Sequence, residues 1–228
     1  MKFSAHTVIA PTLLFPIISA SWSSIKSQLT NLTRLNRALP PTDMKMLDQY
    51  GCWCYFTTDH GRGKGEPADK VDQQCKILHD GYECAIKDGD DLSQACVPWE
   101  VSYNSATGFG MGANDIDNLR TECEDRNAVD SCEARACMVE GYFVVQVMDL
   151  FVSGHFADPL KQHSLGFDPM TECHQKGPGT SSEHKCCGIY PLRYPFKTYD
   201  GLKNCCGQVT YNVDLMECCG DNVPRFSC

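Results

Sequence analysis

The chain has 228 residues and a formal net charge of −9; residues 21–154 carry 12 basic and 21 acidic side chains, whereas residues 155–228 carry 7 and 8. That balance argues against nucleic acid as a partner and against electrostatic capture by anionic membranes, and it is compatible with divalent cations and with neutral or zwitterionic surfaces. Sixteen cysteines point to an oxidising, extracellular compartment. They divide into eight between positions 52 and 137 and eight between 173 and 228, so each half is expected to close its own disulfides. Spacing alone leaves their connectivity open. No pair of C-x-x-C knuckles is present to suggest zinc.

Residues 1–20 hold Lys2, an apolar run through Val8, Leu13, Phe15 and Ile18, and then small residues. This is the pattern of a secretory signal peptide, too short to span a bilayer. Trp22, Ile25, Leu29, Leu32, Leu35 and Leu39 then recur at three- and four-residue intervals, which predicts an amphipathic helix over residues 22–38. Pro40 and Pro41 end it. Asn31-Leu32-Thr33 is an acceptor triplet for N-glycosylation.

Next come Tyr50-Gly51-Cys52-Trp53-Cys54 and the loop Gly61-Arg62-Gly63-Lys64-Gly65-Glu66-Pro67. Alternating glycines let the backbone bend and present carbonyls at close range. Carbonyl oxygens with one carboxylate suit Ca²⁺, a hard cation. A flexible connector would show the same glycines.

A helix is predicted over residues 69–87, with Asp69 as N-cap after Pro67 and Gly89 just beyond its last lysine. On it Cys75, His79 and Tyr82 fall at i, i+4 and i+7 and share a face. Asp80 is turned about 100° away. A cysteine that anchors the helix, an imidazole and a carboxylate looking into one cavity suit a base beside a metal ligand; a chance His-Asp dipeptide on a solvated face is the plainer reading.

Residues 88–129 read as irregular, stapled by Cys96 and Cys123. A second helix is expected from near Asp130, whose spacing to Glu133 resembles a capping box, to about residue 152. Val139, Phe143, Val147 and Phe151, with Met148 beside them, form its apolar stripe. Glu140 borders that stripe and Gly141 would permit close helix approach. An acid there either stays at the solvent margin or pairs with a buried partner such as His79. Residues 155–172 read as a linker. The tail, residues 173–228, repeats adjacent cysteines at 186–187, 205–206 and 218–219, with Tyr190, Tyr194, Tyr199 and Tyr211 as its main apolar bulk. It reads as short strands and turns with too little core to fold without disulfides.

Taken together, residues 42–152 resemble a secreted phospholipase A2. The resemblance rests on Tyr50-Gly51-Cys52-Trp53-Cys54, Gly61-Arg62-Gly63, the run from Gly65 to Asp72, and Cys75 to Asp80 with its His79-Asp80 pair. It implies a mainly α, disulfide-rich fold: two long antiparallel helices, an N-terminal amphipathic helix and a calcium loop over residues 21–154, followed by a small disulfide-stapled module. It implies Ca²⁺-dependent hydrolysis of the sn-2 ester of glycerophospholipids at a membrane or micelle surface, with His79 as general base. Asp80 and the carbonyls of Trp53, Gly61 and Gly63 would hold Ca²⁺.

Departures are visible. Six residues, 55–60, separate Cys54 from the loop glycines. Lys76 follows Cys75 where the family has a second cysteine. Tyr82 stands where a cysteine normally ties the helices, and Val139 and Glu140 stand for the partner helix's cysteine and aspartate. On this alignment Glu140 partners His79, ahead of Asp130 and Glu133, with Tyr82 or Glu83 in support. The tail is similar to paired-cysteine repeats of galaxin-like matrix proteins, a module for extracellular matrix or protein attachment. The competing expectation is a non-catalytic secreted protein that binds calcium or joins the matrix through the same fold.

Overall fold

The computed structural model describes residues 25–26, 46–56, 63–92, 95–105, 116–155, 157–174 and 184–228. The expected signal peptide, Asn31, Gly61 and all of the residue 22–38 helix except Ile25 and Lys26 lie outside them. Ile25 is fully buried, as the apolar face of that helix requires.

Three longer helices organise the first part: α1 (Lys70–Asp91), α2 (Ile116–Arg126) and α3 (Cys132–Val152). Asp69 caps α1, its carboxylate accepting from the amides of Val71 and Asp72, which satisfies two amides the first turn leaves open. The helix runs through Gly89 to Asp91 rather than stopping before it. At α3 the cap is Ser131, accepting from Ala134 N. Asp130 lies just outside in left-handed backbone (φ 58°), so the helix starts one residue later than its acid spacing suggested. The stretch 88–129 is not wholly irregular, because α2 lies within it. Only Leu119 and Cys123 of α2 are buried, a stripe too thin to announce a helix by periodicity.

Helices α1 and α3 pack face to face. Leu78 and Tyr82 of the first and Val139, Phe143, Val144, Val147, Met148 and Phe151 of the second form the core with Leu47, Tyr50, Phe56 and Val71. The expected stripe is therefore buried in full. The close approach falls at Gly81: a Cβ there would lie 2.7 Å from Val139 Cγ1. Among the described residues no helix is long and apolar enough to cross a membrane.

The tail forms three antiparallel hairpins, β1 with β2 (His184–Cys187, Tyr194–Lys197), β3 with β4 (Lys203–Cys206, Val209–Asn212) and β5 with β6 (Glu217–Cys218, Pro224–Arg225). Tyr199 is half exposed at a left-handed turn, and is not part of the tail's bulk.

All sixteen cysteines are paired. Each half does not close its own disulfides, contrary to expectation: Cys52–Cys173 and Cys84–Cys186 cross between them. Cys84 faces the tail from α1, and no sequence spacing encodes that proximity. Within the tail the second cysteine of each adjacent pair reaches the next cysteine group: Cys187–Cys205, Cys206–Cys218, Cys219–Cys228. A polar latch reinforces the crossing. Asp88 of α1 accepts from Tyr190 Oη at 2.9 Å and from Arg193 Nε and Nη2 at 2.8 and 3.0 Å.

The segment after α3 also folds back. Two 3₁₀ turns, Pro159–Lys161 and His163–Leu165, lie against the Tyr50–Cys54 turn. Gly51 N donates to Lys161 O at 2.9 Å, and His163 N donates to Gln49 O at 3.1 Å.

Candidate active site

The site begins where α1 meets the Tyr50–Cys54 turn. Cys54–Cys75 ties them covalently, as the helical face of Cys75 anticipates. Asp72, fully buried, accepts from three loop amides, Cys52 N, Trp53 N and Ala68 N, each at 2.8 Å. Burial pushes its carboxyl upward, and those amides oppose the shift without cancelling it. Asp72 lies within ligand distance of Cys54 and Cys75, but both sulfurs are in one disulfide. Asp72 therefore organises the loop rather than completing a thiolate metal site.

Further out, Tyr50 and Lys161 hold Asp69. Tyr50 Oη donates to its carboxylate, and Lys161 Nζ lies 2.9 Å from it. Burial raises Asp69, but the Tyr50, Asp72-amide and Lys161 contacts outweigh it and hold the carboxyl below its usual range.

His79 is 6% exposed and Glu140 fully buried. Tyr82 links them: its ring stands edge-on to the imidazole, centroids 6.1 Å apart, and its hydroxyl donates to Glu140 Oε1 at 2.8 Å. Tyr103 Oη donates to Oε2 at 2.5 Å. Both carboxylate oxygens thus accept from tyrosines, which meets the demand of a buried acid for partners. Glu83 is exposed and takes no part in these contacts. Asp130, exposed before α3, lines a cavity with Asp88, Arg135 and Tyr190, and Glu133 sits in α3's first turn. Tyr103 is the residue sequence reasoning missed. It lies in an irregular stretch, where no periodicity marks a side chain as inward.

Asp80 faces the loop. Lys76, one turn earlier, forms an ion pair with its carboxylate, and the ammonium lies 4.9 Å from the Trp53 ring centroid. Burial raises the Asp80 carboxyl, Lys76 pulls it down, and Glu83 adds a smaller upward push. Gly63 packs under Trp53 so closely that a Cβ would sit 2.1 Å from ring Cε3. The indole N–H donates to Gly65 O at 3.2 Å. The Trp53 ring, with Gly63 beneath it, thus lies over the ammonium that pairs with Asp80, whereas the Trp53 carbonyl accepts from Tyr55 N at 3.0 Å; Gly61 lies outside the described residues. Asp80 suits a hard cation: it offers a carboxylate oxygen, and a positive charge, the Lys76 ammonium, already rests against it.

No protein-family profile matches the chain, and no solved structure does. Among curated proteins the chain is similar to a basic phospholipase A2 of Micrurus corallinus, 25% identical over 140 residues, covering 60% of this chain and 86% of that protein. The chain is thus disulfide-rich, helical with small antiparallel strand pairs, and distantly similar to a phospholipase A2.

Proposed function

We propose that the chain is a secreted, Ca²⁺-dependent phospholipase A2 that hydrolyses the sn-2 ester of glycerophospholipids to a fatty acid and a lysophospholipid. The observation that carries this reading is the fully buried Glu140, bonded by Tyr82 and Tyr103, with Tyr82 set edge-on to the buried His79 that precedes Asp80 on α1. Distant similarity to a named phospholipase A2 supports it.

In this reading His79 takes a proton from water as the water oxygen bonds to the sn-2 carbonyl carbon. The ester C–O bond then breaks, and the same proton passes to the departing glycerol oxygen. Glu140 fixes the tautomer of His79 and stabilises the imidazolium. Tyr82 and Tyr103 hold Glu140 in place and leave its carboxylate no freedom to turn away. Asp80, with the carbonyls of Trp53, Gly61 and Gly63, would hold Ca²⁺, which when bound would supply Lewis-acid stabilisation of developing negative charge. The tail serves attachment to matrix or protein.

One observation favours a second reading. Lys76 holds the carboxylate that calcium needs, as a protein that keeps the fold without turnover would allow. Release of fatty acid from phosphatidylcholine vesicles by the purified chain, in Ca²⁺ and then in excess chelator, separates the two. Release in Ca²⁺ that chelator abolishes is expected. Release that survives chelation, or none from several phospholipids, overturns the proposal.

A further inference from the structure

The Lys76–Asp80 contact differs from an ordinary helix-surface ion pair. Asp80 retains only 14% of its side-chain exposure and Lys76 retains 30%. The spacing i, i+4 places both on one face of α1. Trp53 closes the other side, and its π face attracts the same ammonium. The ring is itself fixed: its residue's amide donates to Asp72, its indole donates to Gly65, and Gly63 packs directly beneath it. Lys76 is therefore clamped between a carboxylate and a ring that does not yield without moving the loop. Its stem is flexible and its outer side is open, so it has somewhere to go.

Resting on the calcium reading above, we propose that Lys76 is an internal cation that occupies Asp80 until Ca²⁺ displaces it, and so sets the calcium affinity of the site. A divalent ion gains Asp80 only when the ammonium leaves, and an ammonium that stays nearby repels it. The apparent affinity falls by the fraction of molecules in which Asp80 is released. If Asp80 is free about one tenth of the time, binding weakens about tenfold. Trp53 acts in this arrangement through its ring, which holds the competing lysine beside Asp80.

The test is calorimetric titration of the full chain with CaCl₂ at fixed ionic strength, without substrate, for the native protein, Lys76→Met and Lys76→Arg. Lys76→Met keeps the stem and removes the charge, and it is expected to tighten Ca²⁺ binding about tenfold. Lys76→Arg is expected to leave binding no tighter than native. Lys76→Gln serves as a second neutral variant, and a tightening is a gain that a folding defect does not imitate. If the native chain and both neutral variants bind Ca²⁺ equally, or the neutral variants bind more weakly, the internal-cation proposal is overturned while the calcium reading stands. If none of them binds Ca²⁺, both are overturned.

Discussion

Phe143 and Phe196 are both buried aromatics, 1% and 6% exposed, yet they sit in regions held together by different means. Around Phe143 the helices supply apolar neighbours from α1, α3 and the Tyr50 turn. Around Phe196 the hairpins bury little beyond Cys187, Thr198, Cys206 and Cys219, and leave Leu202, Val209, Leu215, Val223 and Phe226 largely exposed. The helical region is fixed by the apolar area it removes from water, and the hairpins are fixed by their chain of disulfides. The candidate chemistry lies in the first region, where a buried carboxylate can be braced from two sides. Asp88 and Cys84 on α1 are where the second region is fastened to it.

The sharpest way to break this comparison is Phe143→Ala. Emptying a packed core position of a phenyl ring costs about 3–5 kcal/mol. Denaturant unfolding monitored by far-UV circular dichroism should show that loss, and a loss below about 1 kcal/mol would mean the helices do not depend on this core.

Replacing Cys187 and Cys205 by serine together should destabilise the hairpins by about 3 kcal/mol. Native-state hydrogen exchange should show faster exchange in the hairpin strands while amides of α1 keep their protection. Equal loss in α1 would mean the two regions are one cooperative unit.

Tyr103→Phe takes one of the two hydroxyls from Glu140 and leaves a buried carboxylate oxygen short of a donor, at a cost of about 1–3 kcal/mol. If Glu140 orients His79, fatty-acid release should also fall and its pH profile should shift. A variant with lower melting temperature but an unchanged profile would make Tyr103 a packing residue only.

The smallest expected effect is on acid stability. Asp69 has a depressed carboxyl only in the folded chain. Its contribution is therefore complete above the unfolded value, near pH 4, and is lost as pH falls through the folded value. Asp72 and Asp80, both raised, act in the opposite sense: what they contribute is present in acid and is lost as pH rises through their folded values. The comparison with Asp69→Asn isolates Asp69. Melting temperatures between about pH 2 and pH 5 should fall more steeply toward acid in the native chain than in the variant, and parallel curves would contradict this.

How much of this was legible follows from how local each signal is. Asp69 as cap, the shared face of Cys75, His79 and Tyr82, and the stripe from Val139 to Phe151 are encoded within a few turns, and the structure places them as expected. The Lys76–Asp80 pair is also legible as an i, i+4 spacing. The crossing disulfides were not legible, because Cys84 meets Cys186 across 102 residues. Helix α2 was hidden by its polarity, since Cys123–Cys137 ties it to α3 more than any apolar face does. Tyr103 reaches Glu140 from a loop, where side-chain direction has no period to reveal it.

In the proposed reaction His79, next to the Tyr82–Glu140 hydrogen bond, removes a proton from water that attacks an sn-2 ester. The most direct measurement uses phosphatidylcholine vesicles labelled in the sn-2 acyl chain, with the native chain and His79→Gln side by side in Ca²⁺. Labelled fatty acid is expected from the native chain, with a loss of at least about 10²-fold in the variant and a melting temperature nearly unchanged. Equal release by both proteins, or label that stays in the lysophospholipid, would contradict it.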